Sequence, residues 1–222
     1  MKQVQIYNQK LYELNLQDEY YPKRLQQIYK PPKKIYAIGN ITILNQKIVA
    51  MVGCRKNTDY GKNVALQFSY ALSQEGVIIV SGLAKGIDSY AHLGAIYAKA
   101  PTIAILGSGL DIIYPKENTK LYEQILQYGG CIISEYPLHT KPAKLHFPER
   151  NRLISGIAEG IIVVEAQMKS GTMITVDFAL EQGKEVFAVP GNITSINSQG
   201  TNMLIQEGAK PVTDVKDILD NI

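Results

Sequence analysis

One segment in the second half of the sequence, residues 147–180, combines residue types that bind phosphate. It contains a basic turn, Arg150-Asn151-Arg152, and a run of small residues, Ser170-Gly171-Thr172. Between them the apolar, β-branched stretch 161–164 predicts a buried strand, and the residues after Thr172 have helical spacing. A strand that leads through small residues into a helix leaves free N–H groups at the helix N-terminus, which favour an anion. The nearby arginines indicate that this anion is phosphate; an ordinary capped helix with solvated arginines is the alternative.

Three further joints between a predicted strand and the next helix also consist of small residues. Gly53-Cys54-Arg55, Ser81-Gly82-Leu83 and Gly107-Ser108-Gly109 each follow an apolar run. Glycine lets a ligand approach the backbone closely, and in an open parallel sheet ligands gather at the carboxyl ends of the strands. Together with the turn at Ser170, these joints predict a broad groove lined by backbone along one edge of a sheet.

Positive charge is concentrated in two parts of the sequence. The net charge of the chain is only +3, yet eight basic and no acidic residues lie between Tyr20 and Thr58. Residues 141–152 carry four basic residues against one acidic residue. Such a distribution is typical of a protein with a polyanionic partner, although solvated lysines with no partner are the alternative.

Cysteine usage and hydropathy narrow the class of protein. The two cysteines, Cys54 and Cys131, lie far apart, which indicates a reducing compartment and no metal-ligand spacing. No apolar run approaches the roughly 20 residues that cross a bilayer, and the N-terminal residues lack the apolar region of a signal peptide. We therefore expect a cytoplasmic protein with no membrane partner and no metal.

Apolar runs alternate with helical patterns from residue 35 onward, which predicts an α/β fold. Nearly all-apolar strands joined by helices indicate a doubly wound, mostly parallel sheet with helices on both faces. We predict a short N-terminal extension over residues 1–34 and a single domain over 35–222. The predicted strands are 35–38, 48–52, 77–80, 102–106, 131–134, 161–165 and 185–189. The predicted helices lie near 61–74, 87–99, 116–127, 150–157, 172–182 and 200–206.

The standard nucleotide and catalytic motifs are incomplete. The turn at Gly107 lacks the third glycine of the dinucleotide-binding motif, and no phosphate-binding loop of the nucleoside-triphosphate type occurs. Asp88 and His92 are one helical turn apart, which suits either an acid–base pair or, more often, a structural pair. The other histidines, His139 and His146, have no metal-ligand spacing.

Several longer strings, in order along the chain, resemble one protein family. They are SGLAKGIDSYAH, TIAILGSGLDIIYPKEN, FPERNRLISG, SGTMIT, and VFAVPG followed by QGTNMLIQEGA. These strings resemble the bacterial DNA-processing protein A family (DprA, also called Smf). The resemblance implies an extended Rossmann-like domain that binds single-stranded DNA without base specificity and has no cofactor and no enzymatic activity. It also implies a homodimer that hands incoming strands to a RecA-type recombinase during natural transformation.

The same resemblance assigns binding residues. Arg55 matches the arginine of the family's Gly-Ser-Arg turn, with Cys54 in the middle position here, and Lys184 matches a basic position before a later strand. Arg55 and Lys144 would hold phosphates through charge-assisted hydrogen bonds. Alternatively, Arg55 pairs with Asp59, and Arg152 is a buried support that pairs with Glu165. The full predicted set is Gly53, Arg55, Ser81, Gly82, Gly107, Lys144, Phe147, Arg150, Asn151, Arg152, Ser170, Gly171, Thr172 and Lys184.

The segment after Pro190 is the predicted dimer surface. In QGTNMLIQEGA, Asn202, Ile205 and Ala209 recur at roughly helical spacing with Leu204 beside them. The family's self-association surface lies in the matching segment, which implies a dimer contact here. An internal core helix is the alternative. Known members often carry a small helical domain before this core and a winged-helix domain after it, and the sequence has room for neither in full.

An enzyme on a related fold is the competing functional hypothesis. Nucleoside-monophosphate phosphoribohydrolases resemble this chain through a Gly-Gly-x-Gly-Thr-x-x-Glu turn that binds phosphate and supplies an acid. Here one glycine remains, Thr175 stands at the position of the acid, and Glu165 precedes the turn. We therefore expect no hydrolytic activity. A small-nucleotide sensor that uses the same turn is a third hypothesis.

Overall fold

A computed structural model describes residues 5–222, most of which surround one nine-stranded sheet. The strands are β1 (Gln5–Ile6), β2 (Gln9–Lys10), β3 (Tyr12–Asn15), β4 (Lys34–Gly39), β5 (Ile48–Val52), β6 (Ile78–Ser81), β7 (Thr102–Leu106), β8 (Cys131–Ser134), β9 (Gly160–Val163), β10 (Glu185–Ala188) and β11 (Lys210–Pro211). The helices are α1 (Asp59–Gln74), α2 (Ile87–Tyr97), α3 (Thr119–Gln127), α4 (His146–Ile157), α5 (Gly171–Glu181), α6 (Gln199–Gln206) and α7 (Lys216–Leu219). Short 3-10 turns lie at Lys23–Gln27, Ile41–Asn45, Lys116–Asn118 and Ile196–Ser198.

The sheet has the strand order β11-β10-β9-β5-β6-β7-β8-β4-β3. All neighbours from β11 to β8 are parallel, and β4 and β3 are added antiparallel at one edge. The first two strands, β1 and β2, pair in a separate hairpin. Each of the seven predicted strands is present, with boundaries within two residues of the prediction. The predicted mostly parallel α/β sheet is confirmed.

The central strands are buried on both faces, as their apolar sequences require. In β5, Ile48, Ala50 and Val52 pack in one core, whereas Val49 and Met51 pack in another on the opposite face. This alternation follows from the two-residue period of a strand. Helices α4 and α5 cover the first core, and α1 and α2 cover the second. Helices on both faces make the sheet doubly wound.

The N-terminal segment is attached to the edge of the same sheet. Strand β3 pairs antiparallel with β4, so that Leu14 lies opposite Ile35. The Tyr21 hydroxyl donates to the Pro32 carbonyl at 2.7 Å, and Leu25 packs against Gly156 of α4, where an added Cβ would lie 2.9 Å from its Cδ2. The first four residues of the predicted extension lie outside the described residues, and the boundary between residues 34 and 35 stays a prediction.

The order of the strands in the sheet determines where a binding site can form. Strand β5 is the first of the parallel strands in the chain, and it lies between β9 on one side and β6 on the other. At such a switch point the loops that leave neighbouring strands diverge to opposite faces and open a crevice beyond the carboxyl ends. The loops that leave β5 and β9 are the ones that the sequence marks with Arg55 and with Ser170-Gly171-Thr172.

Several features of the described residues bear on the class of protein. Within residues 5–222, no helix combines the length and the apolar character needed to cross a bilayer. The same part of the chain holds no cluster of three or more His, Cys, Asp or Glu side chains that could bind a metal ion. Cys54 and Cys131 are both buried and unpaired.

Candidate nucleic-acid interface

A cleft of about 690 Å³ opens at the carboxyl edge of the sheet. Its walls are the turn after β5, the first half of α4 and the N-terminus of α5. Most of the predicted binding residues line it: Gly53, Arg55, Lys144, Phe147, Arg150, Asn151, Ser170, Gly171 and Thr172. Segments that are remote in sequence therefore meet at the switch point, as the pattern of small-residue turns predicts.

Three exposed cations border this cleft: Arg55, Lys56 and Lys144. None of them forms an ion pair with a carboxylate in the described part of the chain, so the proposed Arg55–Asp59 pair is absent. Instead, the Arg55 guanidinium lies 5.7 Å from the centroid of the Phe147 ring. That ring is 5.5 Å from the ring of Tyr114. The cations are available to an anionic ligand, and two aromatic rings stand beside them.

The N-terminus of α5 presents backbone donors to the same cleft. Ser170 precedes the helix in an extended conformation (φ −141°, ψ 161°), and its side chain does not cap the helix. The Met173 N–H donates to the Ser170 carbonyl at 3.1 Å, while the N–H groups of Gly171 and Thr172 have no acceptor among residues 5–222. The buried Ser170 hydroxyl also has no partner there. Unpaired donors at the positive end of a helix dipole form an anion site.

Arg150 lies beneath the cleft floor and not on its rim. Its side chain is only 4% exposed, and its guanidinium donates to the carbonyls of Gly82 and Ile105, at the ends of β6 and β7. Burial lowers the pKa of Arg150 to about 10, with Asp88 acting in the opposite direction, so the group stays charged at neutral pH. The predicted direct phosphate contact is therefore corrected. Arg150 holds two strand ends together and adds positive charge from below.

Within the described residues, Asp88 and His92 have separate structural partners and are not bonded to each other as an acid–base pair. The Asp88 carboxylate accepts from the N–H groups of Gly82 (3.1 Å) and Ala84 (3.3 Å). Burial raises the pKa of Asp88, while Arg150 and these hydrogen bonds lower it. His92 is fully buried with its Nδ1 2.9 Å from the Thr102 hydroxyl, and burial lowers its pKa to about 3. A neutral buried imidazole here has no route to a substrate in the cleft.

Three predicted glycine or serine contacts lie behind the cleft surface. The Ser81 hydroxyl is fully buried and donates to the Met51 carbonyl at 2.7 Å. The Gly82 N–H is taken by Asp88, and its missing side chain makes room for the Arg150 guanidinium. Gly107 is buried behind Phe147, whose Cδ1 would lie 3.2 Å from an added Cβ. These residues shape the site by close packing.

Two predicted basic contacts lie away from the cleft. Arg152 pairs with Glu135 and donates to the Lys30 carbonyl at 3.1 Å. It does not pair with Glu165, whose carboxylate accepts from the Thr58 N–H at 2.9 Å. Lys184 precedes β10 and therefore lies at the amino edge of the sheet, opposite the cleft. Burial lowers the pKa of Lys184 there, with a smaller contribution from Arg24.

The structure adds cleft residues that the sequence did not reveal. Gln167 lines the cleft and donates from Nε2 to Asn197 Oδ1 at 3.0 Å, and Ile174 of α5 is exposed in the same wall. A single glutamine or isoleucine in a loop carries no recognisable motif. The only signal is position, because residues just beyond β9 must lie at the carboxyl edge.

The predicted dimer segment divides into core and surface residues. Leu204 is only 4% exposed and packs in the core, so its assignment to a dimer surface is corrected. Ile205 and Ala209 are half-buried against the same core. The Asn202 side chain is hydrogen-bonded to the Gly191 N–H (3.1 Å) and carbonyl (3.0 Å). The remaining three residues keep partly exposed side chains.

Comparison with known protein families shows to which family the chain belongs. A family model described as DNA recombination-mediator protein A matches residues 13–222. The chain belongs to this family. Among relatives in the DNA recombination-mediator protein A family, the DNA processing protein DprA of Bacillus subtilis is 44% identical over 203 residues. That match covers 91% of this chain and 68% of the relative.

Solved structures of the family share the fold. DprA from Streptococcus pneumoniae superposes with a TM-score of 0.90 at 42% identity, over 96% of this chain and 75% of that one. DNA processing protein A from Helicobacter pylori superposes with a TM-score of 0.85 at 32% identity, over 95% and 94% of the two chains. The latter structure is described as revealing a single-stranded DNA binding mode. The Rossmann-like fold that the sequence resemblance implied is confirmed.

Proposed function

We propose that the chain binds single-stranded DNA independently of sequence, with the sugar–phosphate backbone lying in the cleft. The observation that carries this proposal is a set of three cations, Arg55, Lys56 and Lys144, around the N-terminus of α5. Within residues 5–222 these cations form no ion pair, and the first N–H groups of α5 have no acceptor. The described binding mode of the Helicobacter pylori relative supports it. Within this role the protein protects incoming strands and delivers them to a RecA-type recombinase during transformation and recombination.

The chemistry of the site suits phosphates better than bases. Arginine and lysine form charge-assisted hydrogen bonds with phosphate oxygens, and a helix N-terminus binds an anion through backbone donors. Contacts of this kind fix the strand but carry no sequence information. Phe147 and Tyr114 supply aromatic faces, on which any base can stack. Sequence-tolerant binding follows from this combination.

Binding of an oligo-dT is expected to weaken as salt increases. Each phosphate contact releases counterions and contributes about 0.7 to the slope of log affinity against log salt for a single strand, so three contacts give a slope of about −2. Fluorescence anisotropy between roughly 50 and 200 mM salt measures this slope. Affinity that is flat with salt, or a strong preference for one base sequence, would contradict the proposal. Thermal shift with mononucleotides is the control, and mononucleotide binding without oligonucleotide binding would favour the small-nucleotide hypothesis.

The cleft offers no group suited to hydrolysis, and we propose binding without turnover. Thr175, at the position of the acid in phosphoribohydrolases, is buried and donates to the Gly171 carbonyl at 3.4 Å. The Glu165 carboxylate is buried and accepts both the N–H and the hydroxyl of Thr58. Asp88 is occupied by the backbone of Gly82 and Ala84. Each nearby acid therefore has a structural partner.

Self-association through α6 is the second part of the proposal. Ile205 is expected to face a second copy, so Ile205→Arg yields a folded monomer because a charge at an apolar interface is costly to desolvate. Light scattering measures the mass, and a melting curve establishes folding. Gln206→Arg, at an exposed neighbouring position, is the matched control and leaves the mass unchanged. A folded Ile205→Arg protein that is still dimeric, or one that no longer melts cooperatively, would contradict the dimer role of Ile205.

A further inference from the structure

The loop that carries Arg55 and Lys56 is fixed by residues outside it. At its start, the Cys54 N–H donates to the Glu165 carbonyl at 2.9 Å. At its end, the Thr58 N–H donates to the Glu165 carboxylate at 2.9 Å. The middle of the loop is held by the Lys56 carbonyl, which accepts from Asn197 Nδ2 at 2.8 Å. The position of both cations therefore depends on a side chain from a distant part of the sequence.

Both polar atoms of the Asn197 side chain are hydrogen-bonded. Asn197 is only 6% exposed and lies in the 3-10 turn that precedes α6. Its Nδ2 donates to the Lys56 carbonyl, its Oδ1 accepts from Gln167 Nε2 at 3.0 Å, and its own carbonyl accepts from the Ala166 N–H at 2.8 Å. One residue thus joins the loop after β5 to the loop after β9.

The start of α6 is attached to the same frame. The Gly200 N–H donates to the Ala166 carbonyl at 2.8 Å, and an added Cβ on Gly200 would lie 2.6 Å from that oxygen. The approach is so close that only glycine fits. Asn197 and Gly200 both contact Ala166. A shift of the segment before α6 would therefore move Asn197, which holds the Lys56 carbonyl.

We propose that Asn197 is a positioning residue for DNA binding, which sets the Arg55 loop against the cleft and links that loop to α6. The inference rests on the proposed function, because it concerns how that site is held. A guanidinium binds a phosphate well only when its donors are aligned with the oxygens. Without the Nδ2 donor, the half-buried Lys56 carbonyl has no partner and the loop is free to rearrange.

A double-mutant cycle in the full chain tests this proposal. Asn197→Ser is neutral and too short to reach the Lys56 carbonyl, and it is expected to weaken oligo-dT binding about tenfold by anisotropy at low salt. In an Arg55→Ala background the same change is expected to cost clearly less than in the unmodified chain, because most of its effect passes through Arg55 and only a part through Lys56. Asn45→Ser is the matched control. Asn45 also bridges backbone groups, namely the Lys23 N–H and the Tyr21 carbonyl, but it precedes β5 at the opposite edge of the sheet.

Melting curves accompany each variant. If Asn197→Ser loses its cooperative transition, Asn197→Thr takes its place, since it is also neutral, lacks the Nδ2 donor and leaves a smaller cavity. Wild-type affinity for the variant, or an equal loss in both backgrounds, overturns the positioning role while leaving the proposed function intact. Failure of the unmodified chain to bind oligo-dT is a different result, which refutes the proposed function itself.

Discussion

Replacing Arg55 with alanine is expected to weaken binding of a short oligo-dT by about tenfold to a hundredfold. Arg55 follows the end of β5 on an exposed turn and lies against Phe147. It has no carboxylate partner in the part of the chain that the structure describes. Its planar guanidinium can hold one phosphate through two parallel hydrogen bonds. Charge-assisted hydrogen bonds contribute about 1.5–3 kcal/mol, and each 1.4 kcal/mol is about a factor of ten in affinity. Fluorescence anisotropy measures the change.

Two variants separate charge from geometry at this position. Arg55→Lys is expected to restore only part of the affinity, because the charge returns without the two-pronged geometry. Lys56→Ala is expected to cost less than Arg55→Ala, since the Lys56 ammonium is a mobile point charge. Each variant is also melted. A stable Arg55→Ala protein that binds oligo-dT as tightly as the unmodified chain would contradict the proposed role of Arg55. A large decrease in melting temperature would instead indicate that Arg55 has a structural role.

Replacing Arg150 with alanine is expected to lower the free energy of unfolding by about 3–5 kcal/mol. The guanidinium is buried, and its removal takes away the donor that the Gly82 and Ile105 carbonyls share. It also removes the positive charge that favours ionised Asp88, whose pKa burial already raises. Removing one of two opposite buried charges is costly even without a direct ion pair between them, because the remaining carboxylate is left uncompensated. Urea denaturation measures the loss.

Arg152, two residues further along α4, is the control for this prediction. It pairs with Glu135 in a partly buried position and does not lie in the core, so Arg152→Ala is expected to cost about 1 kcal/mol, less than Arg150→Ala. Adding Asp88→Asn to Arg150→Ala should restore part of the stability, because the uncompensated carboxylate is removed. Equal unfolding free energies for the Arg150→Ala and Arg152→Ala proteins would show that Arg150 is not the support described above.

The positions of the central strands can be predicted from the sequence because burial on both faces requires an apolar residue at almost every position. An apolar β-branched run such as residues 161–164 fits a strand that is covered on both faces. Helix α4 begins at His146, four residues before the predicted start at residue 150. Pro148 lies in the first turn of that helix, where a proline is tolerated because its missing N–H would have had no helical acceptor.

The roles of the individual basic residues could not be read from the sequence. Arg150 and Arg152 are two positions apart on a helix, so they point to nearly opposite sides, but spacing does not say which side faces the core. The position of Lys184, in contrast, can be read from the sequence, because a residue just before a parallel strand must lie at the amino edge of the sheet. Lys184 is assigned to the binding site by the family resemblance alone, and the topology of the sheet contradicts that assignment. Arg55 and Ser170–Thr172 were placed correctly in the cleft because both follow a parallel strand.

The pairing of β5 with β9 has a consequence for when the cleft exists at all. Val49 lies beside Gly160 and Val52 beside Val163, so this contact joins the first quarter of the chain to its last third. Helices form from local contacts, whereas parallel strands from distant segments pair late because a long loop must close. A nascent chain still on the ribosome that carries the Arg55 loop but not yet α5 has one wall of the cleft without the other. Under the proposed function, strand capture therefore requires the second wall, which α5 supplies only after it has been translated.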